Sequence, residues 1–250
     1  MGRRRVTSAL VTGASSGIGA GIVRVLSGAG IAVDALARRS DRLETLATET
    51  GCRTVQADVT DAFGLEAAVA ELTRDVLICN AGRGAGFEGL TQTTRENLSA
   101  TIETNVTATL DLIRLVLPGM VERGRGHVVL LGSVAALYPS VSSIYGASKA
   151  AVFQMAQNLR LELRGTPIRV TDIRPGRVTS EFYDVAMGGA DAARQIKDSR
   201  IRELTPEDVG QAILYAVTAP ANVNVSAIEL QPVEQSYGGT FFYPSLSKGG

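Results

Sequence analysis

Apolar residues fall into two rhythms along the chain. Short runs of β-branched and aliphatic residues occupy 6–11, 31–37, 53–57, 76–79, 127–131, 168–173 and 225–230. They predict seven strands. Between them, apolar residues recur every three or four positions, which predicts helices over 18–29, 42–49, 61–72, 95–121, 143–164 and 206–217. The 95–121 helix is expected to break near Pro118-Gly119. Residues 178–202 read as irregular or loosely helical. The strands are nearly continuous in Val, Ile, Leu and Ala, as burial on both faces requires. The pattern therefore predicts an α/β fold, a doubly wound parallel seven-stranded sheet with helices on both faces. Asp34 stands inside the second run with no partner evident from the sequence. No repeat or linker interrupts the pattern, so one domain over 1–250 is expected.

Composition narrows the possible functions. Lys+Arg and Asp+Glu are 25 each, giving a formal net charge of zero. This disfavours a nucleic-acid binder or a charge-driven membrane-surface protein. No apolar run approaches the ~18 residues of a membrane helix. Two cysteines, Cys52 and Cys79, exclude a disulfide framework and fit a reducing compartment, so a cytoplasmic location is expected. One histidine, His127, and two distant cysteines make no metal site. Three of the 25 basic residues are lysines, Lys149, Lys197 and Lys248, so a lysine at a chemically apt position carries weight.

Chemistry begins after the first strand, at Thr12-Gly13-Ala14-Ser15-Ser16-Gly17-Ile18-Gly19. Glycines there allow positive φ and close backbone approach, and the following helix N-terminus suits a pyrophosphate. The same residues also fit a turn without a ligand. The second strand runs into Arg38-Arg39-Ser40, where a carboxylate would bind the ribose 2′-hydroxyl of NAD and an arginine the 2′-phosphate of NADP. Arg38 and Arg39 favour NADP(H) over NAD(H), with two solvated surface arginines as the alternative. Tyr145 and Lys149 lie four apart, on one helix face. An ammonium beside a phenol favours the phenolate, which suits acid/base work near neutral pH. Ser133 ends the preceding strand, where open α/β sheets place ligands.

Taken in order, Thr12–Gly19, Asp58, Asn80-Ala81-Gly82, Asn105, Ser133, Tyr145, Lys149 and Pro175-Gly176 resemble the short-chain dehydrogenase/reductase family in its single-domain form of about 250 residues. The resemblance implies a Rossmann sheet and a catalytic tetrad of Asn105, Ser133, Tyr145 and Lys149. Tyr145 would exchange a proton with the substrate oxygen, and Ser133 would hold that oxygen. Lys149 would bind the nicotinamide ribose and lower the Tyr145 pKa. Asn105 would kink its helix and hold a water. For the cofactor it implies Gly13, Ser15, Ser16 and Ile18 at the pyrophosphate, and Asp58 with Val59 at the adenine. Asn80, Ala81 and Gly82 would pass the adenine ribose, and Pro175, Gly176, Val178 and Ser180 would orient the carboxamide.

The family's Asn-Asn-Ala-Gly is Cys79-Asn80-Ala81-Gly82 here, which puts the hold on the neighbouring strand in doubt. The short interval from Asp58 to Asn80 implies a trimmed helix. Ala135, Leu137, Tyr138, Phe182, Tyr183 and Met187, with Arg83 and Phe87 opposite, are expected to wall the substrate pocket. Arg177 is a candidate for a substrate carboxylate, 178–204 is expected to be a substrate loop, and 182–202 within it a mobile lid. The expected function is an NADP(H)-dependent oxidoreductase acting on a ketone, aldehyde or secondary alcohol. Alternatives are a 3-oxoacyl-carrier-protein reductase docking through Arg123, Arg125, Arg160 and Arg164, and a cofactor-binding regulator without catalysis. Wide apolar arcs on the 95–121 and 143–164 helices imply a homo-oligomer, a dimer or a homotetramer.

Overall fold

The computed structural model describes residues 6–187 and 201–236. Among them, seven strands form one all-parallel sheet in the order β3-β2-β1-β4-β5-β6-β7. They are β1 (Ser8–Thr12), β2 (Ala32–Ala37), β3 (Arg53–Gln56), β4 (Val76–Cys79), β5 (Gly126–Leu131), β6 (Ile168–Pro175) and β7 (Ala227–Leu230). The helices are α1 (Gly17–Gly28), α2 (Ser40–Thr50), α3 (Ala62–Val69), α4 (Arg95–Ile102), α5 (Ala108–Glu122), α6 (Ser143–Glu162), α7 (Phe182–Ala186) and α8 (Pro206–Thr218). The chain winds outward from β1 to β3, then returns to β4 on the other side of β1. This reversal opens a crevice at the strands' carboxyl ends.

Strand residues sort alternately onto two cores. Ala9, Val11, Ile78, Val129 and Ile173 pack under α1, α2 and α8. Leu10, Leu77, Val128, Leu130 and Val170 pack under α3, α5 and α6. Both faces are covered, which is why the strands show no polar alternation. Asp34 acquires an account: it faces Arg53 in register on β3, its Oδ1 2.8 Å from Arg53 Nε, and its Oδ2 lies 2.6 Å from Arg74 Nε. A buried carboxylate is tolerable when paired in this way. Cys79 pairs with Leu130 in an unbroken ladder, so β4 and β5 are held by their backbones. Burial pushes the Cys79 thiol up to about 12. The trimmed helix is α3, eight residues long and capped by Asp61. The capping box of Thr205 and Asp208 starts α8.

The expected break at Pro118-Gly119 is not there, because α5 runs through Pro118. The helical stretch changes instead at Glu103–Thr107, a π turn in which Ala108 N–H donates to Glu103 C=O. The extra residue lets the buried Asn105 side chain reach across to other segments. Residues 178–202 hold α7 and a bridge from Val178 to Leu204. The rest of the expected lid, 188–200, lies outside the described residues, as do the arginines at 3–5 and the tail from 237. His127 opens β5 at the end opposite Ser133. Its Nε2 lies 2.7 Å from Thr171 Oγ1, whose proton goes to Val225 C=O, so the imidazole donates. Burial pushes its pKa down to about 3.

Candidate active site

A cleft of about 650 Å³ opens along the carboxyl ends of the strands. At one end lies the glycine turn. Gly13 has φ +65°, and a Cβ there would sit 2.9 Å from Ala81 Cα and from Asn80 Nδ2. A Cβ on Gly19 would lie 2.2 Å from the Gly13 carbonyl oxygen. Asn80 fixes the turn by donating to Thr12 C=O at 2.8 Å, and the Thr12 hydroxyl accepts from the Asn80 and Ala81 N–H groups. The α1 N-cap, Ser16, makes no side-chain cap bond, and no acidic residue occupies the first turn. Arg39 instead donates to both Ser15 and Ser16 hydroxyls. Open helix N–H groups, two hydroxyls and an arginine fork form a donor set that fits phosphate oxygens. Arg38, three-quarters exposed, stands 3.6 Å from Asp58. Burial opposes ionisation of Asp58, but the Thr60 N–H, the Thr60 hydroxyl and Arg38 hold its carboxyl below the ordinary range.

At the other end, α6 starts where Ser142 Oγ accepts from Tyr145 N–H. Ser142 also donates to Ala85 C=O at 2.5 Å, tying α6 to the loop after β4. Asn105 completes the frame: Oδ1 accepts from Arg83 N–H, while Nδ2 donates to Arg83 C=O and to Ser148 Oγ. Ser148 passes its own proton to Tyr145 C=O. Ser133 Oγ accepts from Ala135 N–H, which leaves its own proton free to donate. The Tyr145 ring is flanked by Phe182 at 5.2 Å and Phe87 at 6.1 Å, and Tyr183 closes on both. Gly84 makes room for these rings, since a Cβ there would meet Phe182 at 2.5 Å and Phe87 at 2.8 Å.

The chain matches the model of the short chain dehydrogenase family over residues 7–186. It belongs to that family. The NADP-dependent 3-hydroxy acid dehydrogenase YdfG of Salmonella typhi is 41% identical over 239 residues, covering 92% of this chain and 96% of that protein. Among solved structures, the closed form of a serine dehydrogenase complexed with NADP+ superposes with a TM-score of 0.88 at 39% identity, over 96% of this chain and 100% of that one. The serine dehydrogenase from Escherichia coli gives 0.80 at 37% identity, over 92% and 100%. The chain is thus an oxidoreductase of this family with the family's Rossmann sheet.

The dehydrogenase brings most of the sequence-derived residues to one cleft. Gly13, Ser15, Ser16, Ile18, Arg38, Arg39, Asp58, Val59, Asn80, Ala81, Gly82, Ser133, Tyr145, Lys149, Pro175, Gly176, Val178 and Ser180 all line it. Asn105 does not; it sits behind the wall and acts on backbone. Ala135, Tyr138, Phe182, Tyr183, Arg83 and Phe87 line the substrate end, whereas Leu137 and Met187 do not. Leu137 follows the one-turn helix after Ser133 and is 37% exposed, pointing away from the cleft. Arg177 stands at the cleft, but its guanidinium lies 2.7 Å from Glu203 and stacks on Tyr183 at 4.3 Å. Sequence reasoning missed Ser142, Ser148 and Gln235. The last accepts from Arg177 N–H and packs so tightly on Gly176 that a Cβ there would lie 2.3 Å from its Oε1. Its distance along the chain left no local signal.

The electrostatics of the dehydrogenase differ from the expectation for Tyr145. Burial raises its pKa, Ser133 opposes this through a hydrogen bond, and Tyr183 adds to the rise. Lys149 lies over the Tyr145 ring. Its ammonium donates to Leu131 C=O at 2.6 Å and lies 5.8 Å from the ring centroid. Burial also drives Lys149 down to about 8. Desolvation therefore dominates the electrostatics of both groups in this arrangement.

Proposed function

We propose that this dehydrogenase transfers hydride between NADP(H) and a secondary alcohol or ketone, with a small hydroxy acid as the substrate. One observation carries the reading: the Tyr145 and Ser133 hydroxyls share a cleft with a phosphate-type donor set and with Arg38 and Arg39. The residues that leave β2, Arg38-Arg39-Ser40, include no carboxylate to claim a ribose 2′-hydroxyl, so the 2′-phosphate goes to the arginines. Bound there, the cofactor supplies the hydride. Tyr145 Oη gives the proton in reduction and takes it in oxidation. Ser133 donates to the same substrate oxygen. Lys149 holds positive charge behind both, and Phe87, Phe182 and Tyr183 exclude water. Asn105 holds the frame that keeps Tyr145 aimed.

The names of the relatives support a hydroxy acid. Arg83 lines the cleft with one guanidinium nitrogen bonded to Asn97, and we assign it to the substrate carboxylate. The arginines of a carrier-protein docking patch are occupied within the chain: Arg125 with Asp75, and Arg160 with the Ser226 carbonyl. The free, buried Cys52 and Cys79 support a cytoplasmic location, and exposed Leu98 and Leu110 support a homo-oligomer.

Steady-state assays test this. NADP+ with serine or 3-hydroxybutyrate should turn over faster than with the corresponding alcohols that lack the carboxylate. NADPH should bind more tightly than NADH, and Arg38→Asp with Arg39→Ser should reverse that order. Equal NADH affinity of the unmodified protein would remove the arginine argument. Faster turnover of the decarboxylated alcohols would remove the hydroxy acid.

A further inference from the structure

On the face of β6 that meets α6, Ile168 and Val170 are apolar, as a core strand should be. The next residue on that face is Asp172, and it is fully buried. A carboxylate there costs desolvation that an apolar residue would avoid, so its presence calls for a reason. Its Oδ2 accepts from Arg174 Nε at 2.5 Å, and the Arg174 guanidinium stacks on Phe153 of α6 at 4.7 Å. Its Oδ1 has no hydrogen-bond partner. That oxygen is pressed against Gly132, where a Cβ would lie 2.4 Å away. Gly132 stands between Leu131, whose carbonyl receives the Lys149 ammonium, and Ser133. The carboxylate therefore sits beneath the point where the two chemical side chains of β5 and α6 converge.

We propose that Asp172, clamped by Arg174, is a positioning residue that keeps the Lys149 ammonium charged behind the cleft. The inference rests on the assignment of Tyr145 and Lys149 given above. Among the described residues the Lys149 ammonium donates to no side chain, and the acceptor it has is the neutral Leu131 carbonyl. Burial pulls its pKa downward. Asp172 is the group that opposes this, pulling the Lys149 pKa back upward. The influence is mutual: burial raises Asp172, and Arg174, Lys149 and Arg160 each favour its ionised form. The ionisable groups around the pair are Tyr145 and Arg160 from α6, Arg174 from β6 and Tyr183 from α7. Among these, Asp172 is the acid and the arginines are fixed cations. Removing its charge takes away the anion that supports Lys149, and removing Arg174 takes away the group that most favours ionisation of Asp172.

Both removals should lower the Lys149 titration, and Asp172→Glu, which keeps the charge, should restore it; a merely structural role predicts no such dependence on charge. Because the chain has three lysines, protein labelled with 13C at the lysine ε-carbon gives three resonances, and Lys149→Met identifies the one sought. In Asp172→Asn the Lys149 titration midpoint should fall by about one pH unit, the size of effect a nearby opposite charge commonly has. In Arg174→Gln it should also fall, because the buried carboxylate loses the partner that most favours its ionised form. The alkaline limb of the reduction profile should follow the same two shifts. Circular dichroism confirms that each variant is folded, and Asp172→Glu should recover most of the wild-type midpoint if Asn proves unstable. An unmoved Lys149 midpoint in both variants would overturn the proposal, as would shifted midpoints with an unmoved alkaline limb. A fully active Tyr145→Phe protein would instead overturn the tetrad and this inference with it. An inactive Tyr145→Phe protein beside unmoved midpoints would leave the tetrad standing and remove Asp172 alone.

Discussion

Two buried residues show how environment sets chemistry at the scale of a single side chain. Tyr145 is held as a neutral phenol, because burial raises its pKa more than Ser133 lowers it. The phenol is the form that donates, so reduction is available across neutral pH. Oxidation needs the phenolate and should rise with pH. Tyr145→Phe keeps the ring against Phe182 and Phe87 but removes the proton, so turnover should fall ~10²–10⁴-fold. NADPH affinity, read by fluorescence titration, should be nearly unchanged; wild-type turnover in that variant would sink the assignment. His127 makes a claim about stability instead. Its folded pKa of about 3 lies below its ordinary 6.5. Between those values the unfolded chain binds the proton and the folded chain does not, so stability falls as pH drops below about 6.5. The loss should reach a few kcal/mol near pH 3. Urea midpoints measured from pH 7 to pH 4 should show a steeper decline for wild type than for His127→Gln. Parallel curves would mean that His127 is not the group responsible.

At the scale of elements, what was legible in the sequence was whatever repeats locally. The strands announced themselves because two-sided burial leaves runs of Val, Ile and Leu, and the cleft residues because they end strands or begin helices. The π turn was legible only through the family resemblance, which implied a kink at Asn105; no local pattern of residues announced it. Its cause is Asn105 bonding to Arg83 and Ser148, contacts that join three separated segments. Pro118 misled for the converse reason: a strong local signal for a break was overridden by packing of Leu112, Val116 and Met120 against the sheet. Asp34 was opaque until Arg53 and Arg74 were seen beside it. Asn105→Ala would leave both backbone groups of Arg83 and the Ser148 hydroxyl short of a partner in a buried place. Each such group costs ~1–3 kcal/mol, so the three together should cost roughly 3–9 kcal/mol in urea unfolding. The midpoint should shift with an unchanged slope. A shift under half a kcal/mol would show that the frame does not depend on Asn105.

For the whole molecule, the question is which apolar surface remains after the chain has covered its own sheet. Of the residues that gave α5 and α6 their wide apolar arcs, Leu112, Ile113, Val152, Met155, Leu159 and Leu163 are consumed inside the subunit. They are no longer an argument for assembly. What stays outside includes Leu98 at 41%, Ile102 at 36% and Leu110 at 48% exposure, along the continuous stretch of α4, the π turn and α5, with Val121 at 41% near its far end. Leu161 on α6 is exposed at 65%. Apolar side chains of this size scattered singly would need no explanation, but three along one helical stretch make a strip that a second copy can cover. A symmetric pairing places the same strip on both partners, so one substitution acts twice. Light scattering at micromolar concentration should give a dimer or tetramer mass for wild type. Leu110→Arg puts a charge on each side of the two-fold and should yield a monomer that remains folded by circular dichroism. Because the cleft lies at the carboxyl ends of the strands and is lined within one subunit, that monomer should still bind NADPH. A monomeric wild type, or an unchanged mass for Leu110→Arg, would show that the strip is not the interface.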